Sequence, residues 1–394
     1  MKTLQDTYQT VEGKVQQYIA LPQNGERLFL FALFFYMTNA SLLTTMFQVG
    51  GPILTSVNFL LIGSILFKII VFDRYTEKEL CFAAGLLFDA VVVMIFSGYY
   101  DVFYFSVILL GAKNVPFVKI LKVYLMVNVA VLLSAFIASR LDIIEDLVYV
   151  RDFLGERNSF GIIYPTDFAA HIFFLLSAGY YIIREKLQPY HIFLGAVICI
   201  VVYYYCKTRL DCIAMALLLL GLWIMRHEGI WQNTTGNQQK VFVFLQKMIP
   251  WSGTAGFIVM YLLSLFYMPN VFVFRFVDEL LTGRLKIASQ GLQEYGFSLF
   301  GHHIEMQGSG GSLIASADYF FIDSSFLFVY MCYGIVFLCF ILFIHYSCCK
   351  KYAEDGYFLL ILSVIAINCM IAHHMIDLAY NPFYLALLAK KETV

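Results

Sequence analysis

An all-α, polytopic membrane protein is the fold class predicted for this chain of 394 residues, and three observations predict it. Hydrophobic residues make up 61% of the sequence and charged residues only 13%, with a mean hydropathy of +0.76. A soluble domain of this length cannot bury so much apolar side chain, whereas a bilayer solvates it. Twelve nearly uninterrupted apolar runs stand along the sequence, and two long polar loops fall on one side of them. Lysine and arginine, finally, divide unevenly between the two sides that the runs define.

A helix needs about 20 apolar residues to cross the hydrocarbon core. The candidate runs are 28–47, 52–72, 79–97, 99–112, 118–138, 166–183, 190–206, 210–225, 249–267, 322–346, 357–376 and 378–390. The fourth is short, and the twelfth starts beside Asp377 and contains Asn381-Pro382, where proline opposes a helix. With the N-terminus inside, the inner segments carry 18 lysines and arginines and the outer ones 8, together the 26 of the chain. Such residues are retained on the cytoplasmic side. Both termini and 226–248 are therefore expected in the cytoplasm, and the loops 139–165 and 268–321 outside. The chain reads as one polytopic domain, 1–394, in the cell membrane. The residues before Arg27 hold no apolar core of the signal-peptide kind and read as an amphipathic cytoplasmic lead-in.

Several classes recede on composition. Neither external loop contains any of the nine cysteines, so a secreted-type disulfide framework is not expected. Cys206 and Cys212 flank a short outer turn but read as small apolar residues. A formal charge of −1 leaves no basic surface for nucleic acid. His302-His303 and His373-His374 lack ligand spacing, so no metal site and no cofactor are expected. Asp89, deep in the third run, should be paired or protonated within the bundle.

Residue type then singles out the outer face. Six of the eight outer basic residues are arginine, against four of the eighteen inner ones. Lysine suffices for topology, so outer arginine needs another reason, and a guanidinium fork matches phosphate bidentately. Arg140, Arg151 and Arg275 are expected to pair with outer acids. Arg157 opens Arg157-Asn158-Ser159-Phe160-Gly161, just before Tyr164-Pro165-Thr166-Asp167 at the start of the sixth run, where a helix N-terminus favours anions. Arg209 lies in the hairpin tip Cys206-Lys207-Thr208-Arg209-Leu210-Asp211, where Asp211 could neutralise it and Lys207 stays unmatched. Arg284 sits in Thr282-Gly283-Arg284-Leu285, and the glycine-rich run 308–312 beyond it reads as a hinge, since it lacks the lysine of a P-loop.

These stretches, in order, resemble the Wzy polysaccharide polymerases and, more distantly, the O-antigen ligases. The residues carrying the resemblance are Arg157 to Gly161 with Tyr164-Pro165-Thr166, Thr208-Arg209, Gly283-Arg284-Leu285 with Leu299-Phe300-Gly301, and Ile322-Asp323-Ser324-Ser325-Phe326-Leu327 with Tyr333-Gly334-Ile335. Where the ligases carry His-Asn this chain has Asp323-Ser324, which favours polymerase.

The resemblance implies a GT-C-like glycosyltransferase bundle of about twelve transmembrane helices, without metal or other cofactor. It implies transfer of a growing glycan from undecaprenyl diphosphate onto a lipid-linked repeat unit at the outer face, for O-antigen, capsule or exopolysaccharide. Its partners would be those lipid-linked oligosaccharides and membrane lipids, with a flippase and a chain-length regulator beside it. Arginine can stabilise a leaving diphosphate, and a carboxylate or histidine can act as general base on a sugar hydroxyl. Arg157, Arg209 and Arg284 are the diphosphate candidates, and Asp323 and His302 the catalytic candidates, with His303 a lesser one. A lipid-linked oligosaccharide flippase is the rival from another class, although transporters carry inverted repeats and midplane charges.

Overall fold

The structure is a computed structural model, and it describes residues 22–151, 155–228, 237–313 and 319–392. The amphipathic lead-in falls before Pro22, outside the described residues. Long apolar helices dominate, because in lipid a helix alone satisfies its backbone hydrogen bonds within one segment. In chain order they are α1 (Pro22–Leu42), α2 (Gly51–Val71), α3 (Glu77–Ser97), α4 (Asp101–Gly111) and α5 (Phe117–Arg140), followed by α6 (Pro165–Ile183), α7 (Pro189–Cys206) and α8 (Arg209–Glu228). After them come α9 (Asn237–Met248), α10 (Ser252–Leu265), α11 (Phe272–Leu280), α12 (Arg284–Tyr295), α13 (Ser325–Lys351, interrupted by a π turn) and α14 (Gly356–Asn368).

Among the described residues seven helical stretches are long and apolar enough to cross a membrane: α2, α3, α5, Pro165–Lys186, α7, Val243–Leu265 and α13. Large apolar side chains project outward along them, including Leu60 at 76%, Ile70 at 79% and Phe193 at 70% exposure. So broad an apolar exterior is unsuited to water. The protein is embedded in the membrane.

Three runs depart from expectation, and the eleventh, 357–376, stops as a helix at Asn368, the end of the 13-residue α14. The fourth becomes the 11-residue α4, buried almost throughout, so that neighbouring helices and not lipid surround it. The twelfth forms no α-helix. After Asn368 the chain runs through irregular turns to a short 3-10 helix at Phe383–Leu387, packed inside the bundle. The Asn381 side chain donates to the Met375 carbonyl at 2.7 Å and accepts from Phe383 N–H at 3.1 Å, replacing the ladder that Pro382 interrupts. Irregular backbone at such depth survives because protein, not lipid, covers it. Asp89 is buried in α3, and no hydrogen-bond partner for either oxygen is present among the described residues.

The mostly helical chain also holds a short antiparallel hairpin within 139–165. Val148–Arg151 pairs with Gly155–Asn158, setting Tyr149 opposite Arg157. The single O–H of Tyr149 is shared between the carbonyls of Ile163 at 2.8 Å and Ser309 at 3.0 Å, so the loop 139–165 is tied to the loop 268–321. Burial pushes its phenol up to about 12, which keeps it a donor at any ordinary pH.

The π turn of α13 (Val329–Tyr333) explains the Leu299-Phe300-Gly301 stretch. A π turn leaves backbone groups unpaired, and the loop supplies partners. His302 N–H donates to the Met331 carbonyl at 2.9 Å, and Ile335 N–H donates to Ser298 at 3.0 Å. Gly301, with φ +82°, lies so close that a Cβ there would fall on the Cys332 carbonyl. Gly301→Ala is therefore expected to cost about 3 kcal/mol or more, from left-handed strain plus overpacking. Gly283→Ala, at φ +85° with open space around it, should cost only roughly 1–2 kcal/mol. Thermal unfolding of the two detergent-solubilised variants checks this, and equal midpoints would dismiss the clasp.

Candidate functional site

A cavity of about 780 Å³ opens where the loops 139–165 and 268–321 meet the ends of the helices. Four helix N-termini converge on it. α6 brings Thr166 and Asp167, α8 brings Arg209 and Asp211, α12 brings Arg284, and Asp323 stands two residues before α13. Each N-terminus carries a partial positive charge, so four together favour an anion. Arg157, Arg209 and Arg284 all line the cavity, as does Lys207, and so does Asp323.

Each arginine is held differently. Arg157 is almost fully buried and donates through Nε to the Cys206 carbonyl, the C-terminal residue of α7, at 3.0 Å. Its guanidinium also lies 5.5 Å from the centre of the Tyr164 ring. Arg284 is aimed by the turn before α12. Asp278, itself buried, accepts from Lys286 N–H at 3.0 Å while its carbonyl accepts from Gly283 N–H at 2.8 Å. Both bonds fix the first turn of α12, which has Gly283 in the left-handed region just before it. Arg284 then donates to Thr282 Oγ1 at 2.6 Å and faces Asp323 Oδ2 across 3.0 Å from Nε.

Arg209 is exposed to the cavity, and no hydrogen bond or ion pair of its side chain occurs among the described residues. The neighbour that could have neutralised it is engaged elsewhere: Asp211 is buried and accepts from Asn368 Nδ2 at 3.5 Å. Lys207, in the left-handed cap of α7, lies 4.8 Å from the Tyr204 ring.

The other three arginines of the two loops divide. Arg140 pairs with Asp146 away from the cavity, which is the expected acid pairing. Arg275 has no ion pair among the described residues, and the Arg151 side chain lies outside them.

Asp323 is not the helix cap that its Asp-Ser-Ser context allows. Ser324 occupies the cap position of α13, and Asp323 faces Arg284 instead. The histidine candidates lie elsewhere. His302 does not line the cavity: its backbone is clasped to the π turn and its ring stands 6.0 Å from that of Tyr295. His303 Nδ1 meets the Ser97 carbonyl at 2.9 Å, against the end of α3. The loop that bonds to the π turn draws both rings away from the arginines.

In their place come His373 and His374, from the irregular chain after α14, and Asp167, from the first turn of α6. His374 Nε2 is 4.0 Å from Asp167 Oδ1, and its ring stacks on Tyr380 at 3.7 Å. The sequence offered a hint for Asp167, two residues after Pro165 at a helix start, and none for the histidine pair. Chemically, the cavity sets four cations and four helix ends around a space large enough for a diphosphate, with carboxylates at hand as proton acceptors. No protein-family model matches the chain, and no curated protein or solved structure matches it.

Proposed function

We propose that the protein is a lipid-linked oligosaccharide polymerase of the Wzy kind, a glycosyltransferase working at the outer face of the cell membrane. The observation that carries the reading is the meeting of Arg157, Arg209, Arg284 and Asp323 at one cavity on four helix N-termini. In this reading the bundle is GT-C-like, with about twelve crossings, both termini cytoplasmic and 139–165 and 268–321 outside. The C-terminal irregular chain serves as the last crossing.

The donor is a glycan on undecaprenyl diphosphate, and the acceptor a lipid-linked repeat unit. The acceptor hydroxyl oxygen bonds to the anomeric carbon, the bond from that carbon to the diphosphate oxygen breaks, and undecaprenyl diphosphate leaves. Arg209 and Arg284 stabilise the charge that gathers on the leaving oxygens, and Arg157 reinforces it from the buried side. Asp323 accepts the hydroxyl proton. Before the donor arrives Arg284 faces Asp323, so the diphosphate competes for that fork and releases the carboxylate for the acceptor. Positive charge of this kind replaces a metal in the mechanism.

Reconstitution into liposomes with a defined lipid-linked repeat unit tests the reading. A ladder of lengthening glycan that persists in a chelator is the expected result. Transfer to a lipid A core in place of a ladder would make it a ligase. Movement of the lipid-linked unit across the bilayer without any ladder would make it a flippase.

A further inference from the structure

A second concavity, a groove of about 630 Å³, adjoins the cationic cavity and has the opposite character. Gln290, Gln293 and Glu294 from α12, with Glu305 and Gln307 from the loop beyond, line its sides, and Tyr295, Tyr319 and Phe320 supply ring faces. Among the described residues, the charged ones lining it are Glu294 and Glu305, with no cation, whereas the cavity sets Arg157, Lys207, Arg209 and Arg284 beside Asp167, Asp211 and Asp323.

Helical geometry joins the two spaces. Arg284 and Ile287 line the cavity, and Gln290, Gln293 and Glu294 line the groove. Each step of three residues turns about 60° around α12, so they form a winding stripe that passes from cavity to groove and climbs about 15 Å from Arg284 to Glu294. The far wall is equally continuous. Gln307 belongs to the groove and Gly308 to the cavity, and Tyr319 touches both. Paired backbone bonds between Gln307 and Phe320, at 2.8 and 3.1 Å, hold that wall together. Tyr295 and Phe320 stand with ring centres 6.3 Å apart.

A ligand that lies along this stripe needs an anionic end at Arg284 and a hydroxyl-rich body beyond it. Carboxamides both donate and accept, which matches neighbouring hydroxyls of a sugar, and carboxylates accept from hydroxyl pairs. Ring faces cover the apolar side of a pyranose. A hydrocarbon tail finds too many polar groups here, and an acidic sugar meets two carboxylates of its own sign. We propose that this groove is a glycan subsite for the sugars nearest the diphosphate, taking neutral or amino-substituted units in preference to acidic ones. The inference rests on the polymerase reading for its diphosphate end, while the groove's affinity for sugar stands on its own lining.

The test uses the full chain, immobilised in detergent. The probe is glycan released by mild acid from the surface polysaccharide of the cells that express it, and separated by anion exchange into neutral and acidic fractions. Such glycan carries no diphosphate. The wild type is expected to retain the neutral fraction. The double variant Gln290→Ala, Glu294→Ala alters two exposed side chains, so folding is spared, and it should retain about tenfold less, the equivalent of about one charged or two neutral hydrogen bonds. Arg284→Ala should retain as much as the wild type. No retention by the wild type, equal retention by the double variant, or preference for the acidic fraction would each overturn the groove assignment. A protein that retains glycan yet makes no ladder sinks the polymerase reading alone. One that makes a ladder without retaining glycan sinks only the groove.

Discussion

Replacing Arg284 by alanine is expected to lower polymer formation about a hundred- to a thousandfold, the usual cost of removing one preorganised donor from a developing anion. Three features give this arginine that weight. It opens α12, so the helix dipole adds to its charge. Asp278 fixes the turn beneath it, so the fork is aimed before substrate arrives. It also faces Asp323, which links the leaving group to the proton acceptor. Lysine at 284 should recover only part of the loss, because one ammonium cannot make two parallel bonds.

Arg209→Ala should behave similarly and leave the fold intact, since its exposed side chain makes no hydrogen bond or ion pair among the described residues. Arg157→Ala should reduce abundance as well, because that residue is buried against the Cys206 carbonyl. Arg140→Ala, whose partner is Asp146, serves as the milder control. Ladder length and membrane abundance, measured for all four, decide the matter. If activity fell in step with abundance in every variant, the arginines would be holding the fold and not a diphosphate.

The second large effect is expected at Asp323→Asn. Asparagine keeps the size and the hydrogen-bonding oxygen but takes no proton, so turnover should fall about a hundredfold or more, in the range of a lost general base. Helix capping offers no competing explanation, since Ser324 holds the cap position. Donor binding should persist or tighten, because Asp323 no longer competes with diphosphate for Arg284. Lipid-linked donor binding and single-turnover transfer, measured on the same preparation, separate the two quantities. Near-normal turnover would remove Asp323 from the chemistry. The role would then pass to Asp167 with His374, which share the cavity, and not to His302, which lies beyond it.

Much of this protein was legible before any fold was known. Hydropathy is a local property read by the solvent, so runs such as 52–72 and 118–138 reappear as α2 and α5 with ends shifted by a residue or two. The choice of outer arginine over lysine is equally local, and it singled out three side chains that line one cavity. The hairpin at Val148–Arg151 was within reach as well, since Val-Tyr-Val is β-branched and aromatic, but the length of the loop masked it.

Only the tertiary structure decided the rest, and the physical reason is range. Asp211 finds Asn368 and not its neighbour Arg209, and Asp323 finds Arg284, in each case across a distance in sequence that no spacing rule covers. Whether 378–390 forms a helix depends on protein covering Pro382, which composition cannot reveal. His302 and His303 read as candidates because polar residues in an outer loop look available, yet the π turn of α13 takes up their loop to satisfy its own backbone. His373 and His374 sit in a run that hydropathy counts as membrane span, and they reach the cavity because α14 stops at Asn368. Above all, the convergence of four helix N-termini belongs to no single segment. Each helix carries its dipole in its sequence, but the sum exists only where packing brings their ends together.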